Sequence, residues 1–350
     1  MSSFDPTFSI GPTPVGGSAR CYVVAEAGAN HNRDLGLARG LIDVAAEAGA
    51  DAVKFQTYRG EAIYSSKAPR FGYLDDDRSP QELLEAIALP REWQQELLAY
   101  AGSRGIAWFS SPFDHDAVDS LAALGVPAMK IASFELGDLP LIRKAASTGA
   151  PIILSCGMAT YGEVEDALEA VAEAGGTRVA LLQCASVYPA PPEIMNLRAM
   201  ATLRTAFGVP VGLSDHTQGI AVATGGAALG MQMIEKHFTL SRDMEGPDHG
   251  FALEPEELEA MVEGIRAVEQ AMGNGRVEGP SALERQEMYR LARRSLIAAR
   301  PIPAGTTITE DMLTVKRPGF GIPPKFLELT VGRTARVDIE FDDIITWEMV

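Results

Sequence analysis

The stretch CYVVAEAGANHNRDLGLARGLIDVAAEAGADAVKFQTY, residues 21–58, carries the pattern that decides the fold. Its opening run, CYVVAEAG (21–28), is apolar and partly β-branched, as expected of a strand covered on both faces. LGLARGLIDVAAEAG (35–49) then places apolar residues at helical spacing and stops at Gly49, the residue type that most readily takes the left-handed turn ending a helix. DAVKFQT (51–57) returns to a strand. Strand, helix and strand at this spacing form a parallel crossover unit.

The unit recurs along the chain. IAWFSSP (106–112), AMKIAS (128–133), PIILSCG (151–157), VALLQCAS (179–186), VPVGLSD (209–215) and MQMIEKHF (231–238) read as further strands. Amphipathic segments follow them, the last being PEELEAMVEGIRAVEQAMG (255–273). Eight such units in about 250 residues predict an α/β fold, a (β/α)8 TIM barrel, over residues 1–280. A doubly wound open sheet also alternates, but no Gly-rich dinucleotide fingerprint follows the first strand. Residues 58–90, which include KAPRFGYLDDDRSPQ (67–81), are too long and polar for a plain strand-to-helix loop and are expected over the C-terminal face of the barrel. Residues 281–293 read as a linker, and 294–350 as a small, mainly β domain of short strands broken by Pro and Gly. A unit that small is marginal alone and is expected to dock on its own barrel or a neighbour's.

Composition narrows the function classes. The 350 residues carry a formal charge of −17, from 30 Lys+Arg against 47 Asp+Glu, and are 46% hydrophobic. Whole-chain disorder is excluded by that apolar content. The acidity argues against nucleic acid or an anionic membrane as partner, and it requires locally placed cations for any anionic substrate. Cys21, Cys156 and Cys184 lie in apolar runs without paired spacing, so a reducing cytoplasmic setting is expected. The N-terminal residues lack a basic region and an apolar core, so no secretory signal is read there. The Gly/Ala-rich segment 219–234 is too short to cross a bilayer.

Polar residues cluster where the strands end, and in a barrel those ends converge on one mouth. Glu26 and Asn30-His31-Asn32 follow the first strand; Lys54 and Gln56 lie on the second; Ser110 and Ser111 end the third. Lys130, Ser133 and Glu135 mark the fourth, Ser155 the fifth, Ser186 and Tyr188 the sixth, Ser214, Asp215 and His216 the seventh. Glu235, Lys236 and His237 lie on the eighth, with Asp248 and His249 just beyond. Buried lysines at positions 54, 130 and 236 need an anion to offset desolvation, which points to an anion site. The serines are either helix N-caps or hydroxyl donors around a phosphate or carboxylate. Glu135 is an acid or base, or else an N-cap carboxylate. His216 and His237, with Glu26, Asp215 and Asp248 nearby, are metal-ligand candidates of the imidazole and carboxylate type, although structural histidines share that pattern.

Together AEAGANHN (25–32), DAVKFQTY (51–58), KIASFE (130–135), LSCGMAT (154–160), LSDHT (213–217), EKHFT (235–239), GPDHGFALEP (246–255), RRSL (293–296) and KRPGFGI (316–322) resemble the bacterial sialic acid synthases. That family joins a phosphoenolpyruvate-condensing barrel to a C-terminal domain similar to type III antifreeze protein, the SAF domain. The resemblance implies condensation of phosphoenolpyruvate with the open-chain aldehyde of an N-acetylmannosamine-type sugar, giving N-acetylneuraminate and phosphate. A legionaminate synthase using a 2,4-diacetamido hexose is the second reading, and a pseudaminate synthase a more distant one. By motif match, Lys54, Ser111, Lys130, Ser133, Ser155 and Ser214 would bind phosphoenolpyruvate, and His216 and His237 a divalent metal, manganese first, with magnesium or cobalt as alternatives. Glu135, Glu26 and His237 would be catalytic, and Gln56, Ser186, Tyr188, Asp248 and Arg317 would hold the sugar. The resemblance also implies a homodimer with a swapped C-terminal domain, Arg317 reaching the site of the other subunit. This chain departs from the family at Ser186 in ASVYP (185–189), where the family has Asn, and in the 58–90 segment. Two other classes fit less of the pattern: a Schiff-base lyase of the same sugars using Lys130 or Lys54, and a non-catalytic binding protein built around the C-terminal domain.

Overall fold

In the computed structural model, residues 4–70, 78–285 and 287–350 are described. Two compact units divide the chain, Met1–Gly273 and Asn274–Val350. The first opens with an antiparallel hairpin, β1 (Thr7–Ile10) and β2 (Thr13–Gly16). Ile10 and Val15 of this hairpin are fully buried in the main core.

Eight parallel strands follow in chain order and close on themselves: β3 (Tyr22–Gly28), β4 (Ala52–Thr57), β5 (Ala107–Pro112), β6 (Met129–Ile131), β7 (Ile152–Ser155), β8 (Val179–Cys184), β9 (Val211–Asp215) and β10 (Met233–His237). Closure runs through β10 and β3, where His237 pairs with Glu26. The open-sheet alternative is thereby excluded. Between and after the strands lie α1 (Leu35–Glu47), α2 (Gly60–Ile63), α3 (Pro80–Ile87), α4 (Gln94–Ser103), α5 (His115–Leu124), α6 (Leu139–Ser147), α7 (Tyr161–Glu173), α8 (Ala199–Phe207), α9 (Ala221–Ala228) and α10 (Pro255–Ala271). Each strand is buried on both faces because its inner side chains fill the barrel and its outer ones meet the helices.

Local chemistry sets the helix starts. Asp34, Asp114, Asp138 and Thr160 cap α1, α5, α6 and α7, each side chain accepting a backbone N–H of the first turn. None of the strand-end serines is a cap, so their hydroxyls remain for other partners. Glu135 is not a cap either; Asp138 takes that position before α6. In the 58–90 segment, α2 crosses α3 at Gly60, where a Cβ would lie 2.1 Å from the Gln81 carbonyl oxygen. Residues 71–77 of that segment lie outside the described residues.

The barrel wall leaves equally little room at Gly212 of β9, where a Cβ would lie 2.0 Å from the Met233 carbonyl oxygen of the neighbouring strand. Because the obstacle is backbone, Gly212→Ala is expected to cost about 3 kcal/mol of stability, measured by denaturant unfolding.

The second unit holds α11 (Glu287–Ala292), β11 (Ser295–Ala298), β12 (Leu313–Lys316) and α12 (Leu327–Thr330). β11 and β12 pair antiparallel, and Leu296, Ile302, Ile308, Ile322, Ile339 and Ile345 form a separate core.

Candidate active site

Alternation along the strands decides which polar side chains enter the barrel. Glu26 on β3, Lys54 and Gln56 on β4, Ser111 on β5, Lys130 on β6, Ser155 on β7, Ser214 on β9 and Glu235 and His237 on β10 line one pocket. Ser133, Tyr188 and His216, just past their strands, line it too, with Phe113, Ala132 and Cys184. Lys236 points the other way. Its Nζ donates to Asp215 Oδ2 at 2.7 Å and to the Thr217 carbonyl at 2.6 Å, while Asp215 Oδ1 accepts from the Thr217 backbone N–H. Lys236 and Asp215 therefore form a buried pair outside the pocket, and neither belongs to the anion or metal sets read from the sequence.

The cations inside are already matched by carboxylates. Lys54 Nζ lies 2.8 Å from Glu26 Oε2 and 3.7 Å from Glu235 Oε1, and donates to Ser111 Oγ at 3.0 Å. Lys130 Nζ lies 3.9 Å from the same Glu235 oxygen and donates to the Ile131 carbonyl. Glu235 thus sits between the two lysines, a position the sequence reading did not assign to it. Its signal was available: on β10, residues 235 and 237 share the face that 236 lacks. Burial disfavours the ionised form of Glu235, but Lys130 and Lys54 outweigh it and hold its carboxyl below the usual range. Burial likewise works against the Lys54 charge, and Glu235 and Glu26 raise its pKa in spite of it. Lys130, more weakly compensated, is lowered by burial. Glu26 is pushed up to about 7 by burial against the pull of Lys54, and its Oε1 accepts from Gln56 Nε2 at 2.9 Å.

Around this cluster several polar atoms wait for partners. Ser155 Oγ, Glu135 Oε2, Glu235 Oε2 and His237 Nδ1 are buried without a hydrogen-bond partner. Glu135 follows β6 on a short turn, and burial pushes it up to about 7 against Lys130. Ser133 Oγ accepts from the Gly157 N–H at 3.0 Å. A Cβ on Gly157 would lie 2.3 Å from Ser186 Oγ and 2.7 Å from Ser133 Oγ, so glycine there lets the two hydroxyls approach. Ser186 lies beside the pocket wall through Cys184, 3.9 Å from its Sγ.

At the other side of the mouth, His216 and His237 stand with ring centroids 5.5 Å apart. His216 Nδ1 donates to the Ala185 carbonyl at 2.8 Å, which leaves the Nε2 lone pair free. Tyr188 lies against that ring at 4.2 Å. Burial first, and the neighbouring cations second, hold His237 well below the usual histidine range, so it is neutral and can ligate. Asp248 Oδ2 lies 3.7 Å from His237 Nδ1. Burial works against the charged form of His216, but Cys184 and the Ala185 carbonyl raise its pKa in spite of it. Two buried imidazoles, one of them neutral with an unpartnered nitrogen and a carboxylate beside it, suit a divalent cation with open coordination positions. Among the described residues, no three His, Cys, Asp or Glu side chains are gathered into a metal cage.

Two further histidines expected at the mouth lie outside the pocket. His31 and His249 are buried, bond to loop residues and do not line the pocket. Arg317 belongs to the second unit, where it is exposed immediately after β12.

Comparison with known proteins agrees with this architecture. The NeuB family pattern matches residues 41–277, and the SAF domain pattern residues 293–350. The N,N'-diacetyllegionaminic acid synthase of Campylobacter jejuni is 41% identical over 332 residues, covering 93% of this chain and 99% of that protein. The N-acetylneuraminate-9-phosphate synthase of Mus musculus is 35% identical over 342 residues, covering 96% and 94%. The crystal structure of N-acetylneuraminic acid synthetase from Leptospira borgpetersenii superposes with a TM-score of 0.73 at 32% identity, covering 83% of this chain and 98% of that one. The chain belongs to the NeuB family of nonulosonic acid synthases and carries a SAF domain at its C-terminal end.

Proposed function

We propose that the enzyme condenses phosphoenolpyruvate with the open-chain aldehyde of an N-acetylmannosamine-type sugar, forming N-acetylneuraminate and phosphate. The observation that carries this reading is the pairing, in one pocket, of two buried lysines and a ring of serine hydroxyls with two buried imidazoles. Lys54, Lys130, Ser111, Ser133, Ser155 and Ser214 suit the phosphate and carboxylate of phosphoenolpyruvate. Gln56, Ser186, Tyr188 and Asp248 suit the hydroxyls and acyl group of the sugar.

The local charge balance supports a metal at His216 and His237. Glu235, between Lys54 and Lys130, offsets part of their charge even when Glu26 carries a proton, so a ligand with about three negative charges needs further positive charge nearby. When bound there, a divalent ion, manganese in our reading, supplies Lewis-acid polarisation of the aldehyde oxygen. The methylene carbon of phosphoenolpyruvate attacks the aldehyde carbon, and Glu26, raised to about 7, gives its proton to the aldehyde oxygen. Glu135 takes one proton from the water that adds to the phosphate-bearing carbon and passes it to the phosphate as the C–O bond breaks; the second water proton leaves the new hydroxyl as the carbonyl forms and, through solvent, restores Glu26. The lysines keep the anion in place through both steps.

A second reading, legionaminate synthesis from a 2,4-diacetamido hexose, is favoured by the 41% identity to the Campylobacter jejuni enzyme. Phosphate release across a panel of 2-acylamino and 2,4-diacylamino sugars, with the metal varied, decides between them. Borohydride trapping of pyruvate on the protein, with turnover surviving a chelator, would instead establish a lyase and overturn both.

The proposal extends to a cytosolic homodimer with exchanged C-terminal domains, each Arg317 reaching the acyl group in the other subunit's site. Phe134, Met158, Val187 and Ile194, on the segments after β6, β7 and β8, and Tyr161 at the start of α7, leave large apolar side chains exposed, which supports a covering partner there. No helix among the described residues is long and apolar enough to cross a membrane. Arg317→Ala is expected to raise the sugar KM about tenfold or more while the phosphoenolpyruvate KM changes little. Equal effects on both would reject the assignment. Mixing inactive His237→Ala with Arg317→Ala under subunit exchange is expected to restore activity at sugar concentrations well below the raised KM; no rescue would place Arg317 in its own subunit's site.

A further inference from the structure

Asn30, Asn32 and His249 join the loop after β3 to the loop after β10. Asn30 Nδ2 donates to the Phe238 carbonyl at 2.8 Å, and Asn32 Nδ2 to the Glu245 carbonyl at 2.9 Å. The Asn32 Oδ1 atom therefore faces His249 Nε2, 3.2 Å away, and accepts its proton. His249 Nδ1 is then the acceptor for the Thr239 hydroxyl at 2.6 Å. Both ring nitrogens are engaged, so His249 is not available as a ligand for metal or substrate. Asn32 and Arg33 hold left-handed backbone at φ 47° and 54°, a strained pair for non-glycine residues that persists only where surrounding bonds dictate it.

What these bonds hold is the residue next to His249. The Asp248 carboxylate accepts from the Ala29 backbone N–H and lies 3.7 Å from His237 Nδ1. Its Oδ2 stands 2.9 Å from where a Cβ of Gly28 would be, so the β3 loop both receives it and leaves room for it. We infer that Asn32 and His249 are a positioning pair, each loop fixing the other so that the Asp248 carboxylate meets the acceptor sugar beside His237. The inference rests on the synthase reading above, because only that reading gives Asp248 a sugar to meet.

The test uses full-length His249→Phe, His249→Gln and Asn32→Ala proteins. His249→Phe and Asn32→Ala are each expected to raise the sugar KM about tenfold, the range for losing an outer partner of a site residue, with the phosphoenolpyruvate KM within about twofold. His249→Gln, which keeps a donor toward Asn32, is expected to recover most of the loss. The double variant should be no worse than the worse single one, since both remove the same link. Hydrogen exchange supplies a readout independent of turnover: His249→Phe should speed exchange in residues 28–34 as well as in 239–249. A parallel rise in both KM values, additive losses, or faster exchange confined to 239–249 would overturn the positioning role. If the wild-type protein shows no synthase turnover, the synthase reading fails, and the exchange result alone decides whether the two loops are coupled.

Discussion

His237→Ala is expected to abolish condensation, with kcat falling by at least about a thousandfold, while the protein folds and still binds phosphoenolpyruvate. The size follows from losing Lewis-acid polarisation worth about 4 kcal/mol at the transition state. The wild-type imidazole is buried, neutral and unpartnered at Nδ1, so its removal leaves no unpaired charge inside the barrel and little reason for collapse. Phosphate release gives the rate, elemental analysis gives the metal content, and calorimetry with phosphoenolpyruvate shows whether the anion side survives. A variant that keeps a tenth of the activity would remove His237 from the catalytic set. Chelation of the wild-type enzyme is expected to mimic the substitution and to be reversed by added manganese.

Glu135→Gln is expected to lower kcat by two to four orders of magnitude, the span typical of a lost proton-transfer group. Its pH signature is specific. The wild-type carboxyl is held up at about 7 by burial, so activity that needs the ionised form rises as pH increases through 7, and the Gln variant loses that limb. Stability moves the other way. Between the ordinary carboxyl value of 4.5 and about 7, the folded state holds a proton that the unfolded state has released, so wild-type stability falls as pH rises through this window. Glu135→Gln removes that loss and is expected to raise the melting temperature above pH 7 while leaving it unchanged below about pH 4.5. An unaltered rate profile would take the proton transfer away from Glu135.

The barrel was legible because parallel strands covered on both faces are written as short apolar runs, and eight of them stand between helical periods. The mouth was legible for a related reason: polar residues such as Lys54 and Ser155 at the ends of such runs have no structural need to be there. What the runs did not reveal is facing. Lys236 and Glu235 are adjacent in sequence and opposite in space, and treating each lysine as an anion ligand counted Lys236 inside and passed over Glu235. Loop contacts were less legible still. His31 and His249 read as members of the mouth because they follow strands, yet their roles depend on which side chains a second, distant loop supplies. Glu135 and the serines had two readings each until Asp114, Asp138 and Thr160 were found occupying the cap positions.

Glu235 between Lys54 and Lys130 bears on turnover. A bare pair of buried lysines would hold inorganic phosphate tightly, and the enzyme would stall on its own product. With a carboxylate already placed 3.7 and 3.9 Å from the two ammonium groups, a departing phosphate competes with an internal rival that never diffuses away. The same residue keeps the barrel mouth electrically quiet, so that cellular phosphate gains little by entering alone. Selectivity then falls to ligands that engage the hydroxyls, the lysines and the histidine side together, which a small tetrahedral anion cannot span.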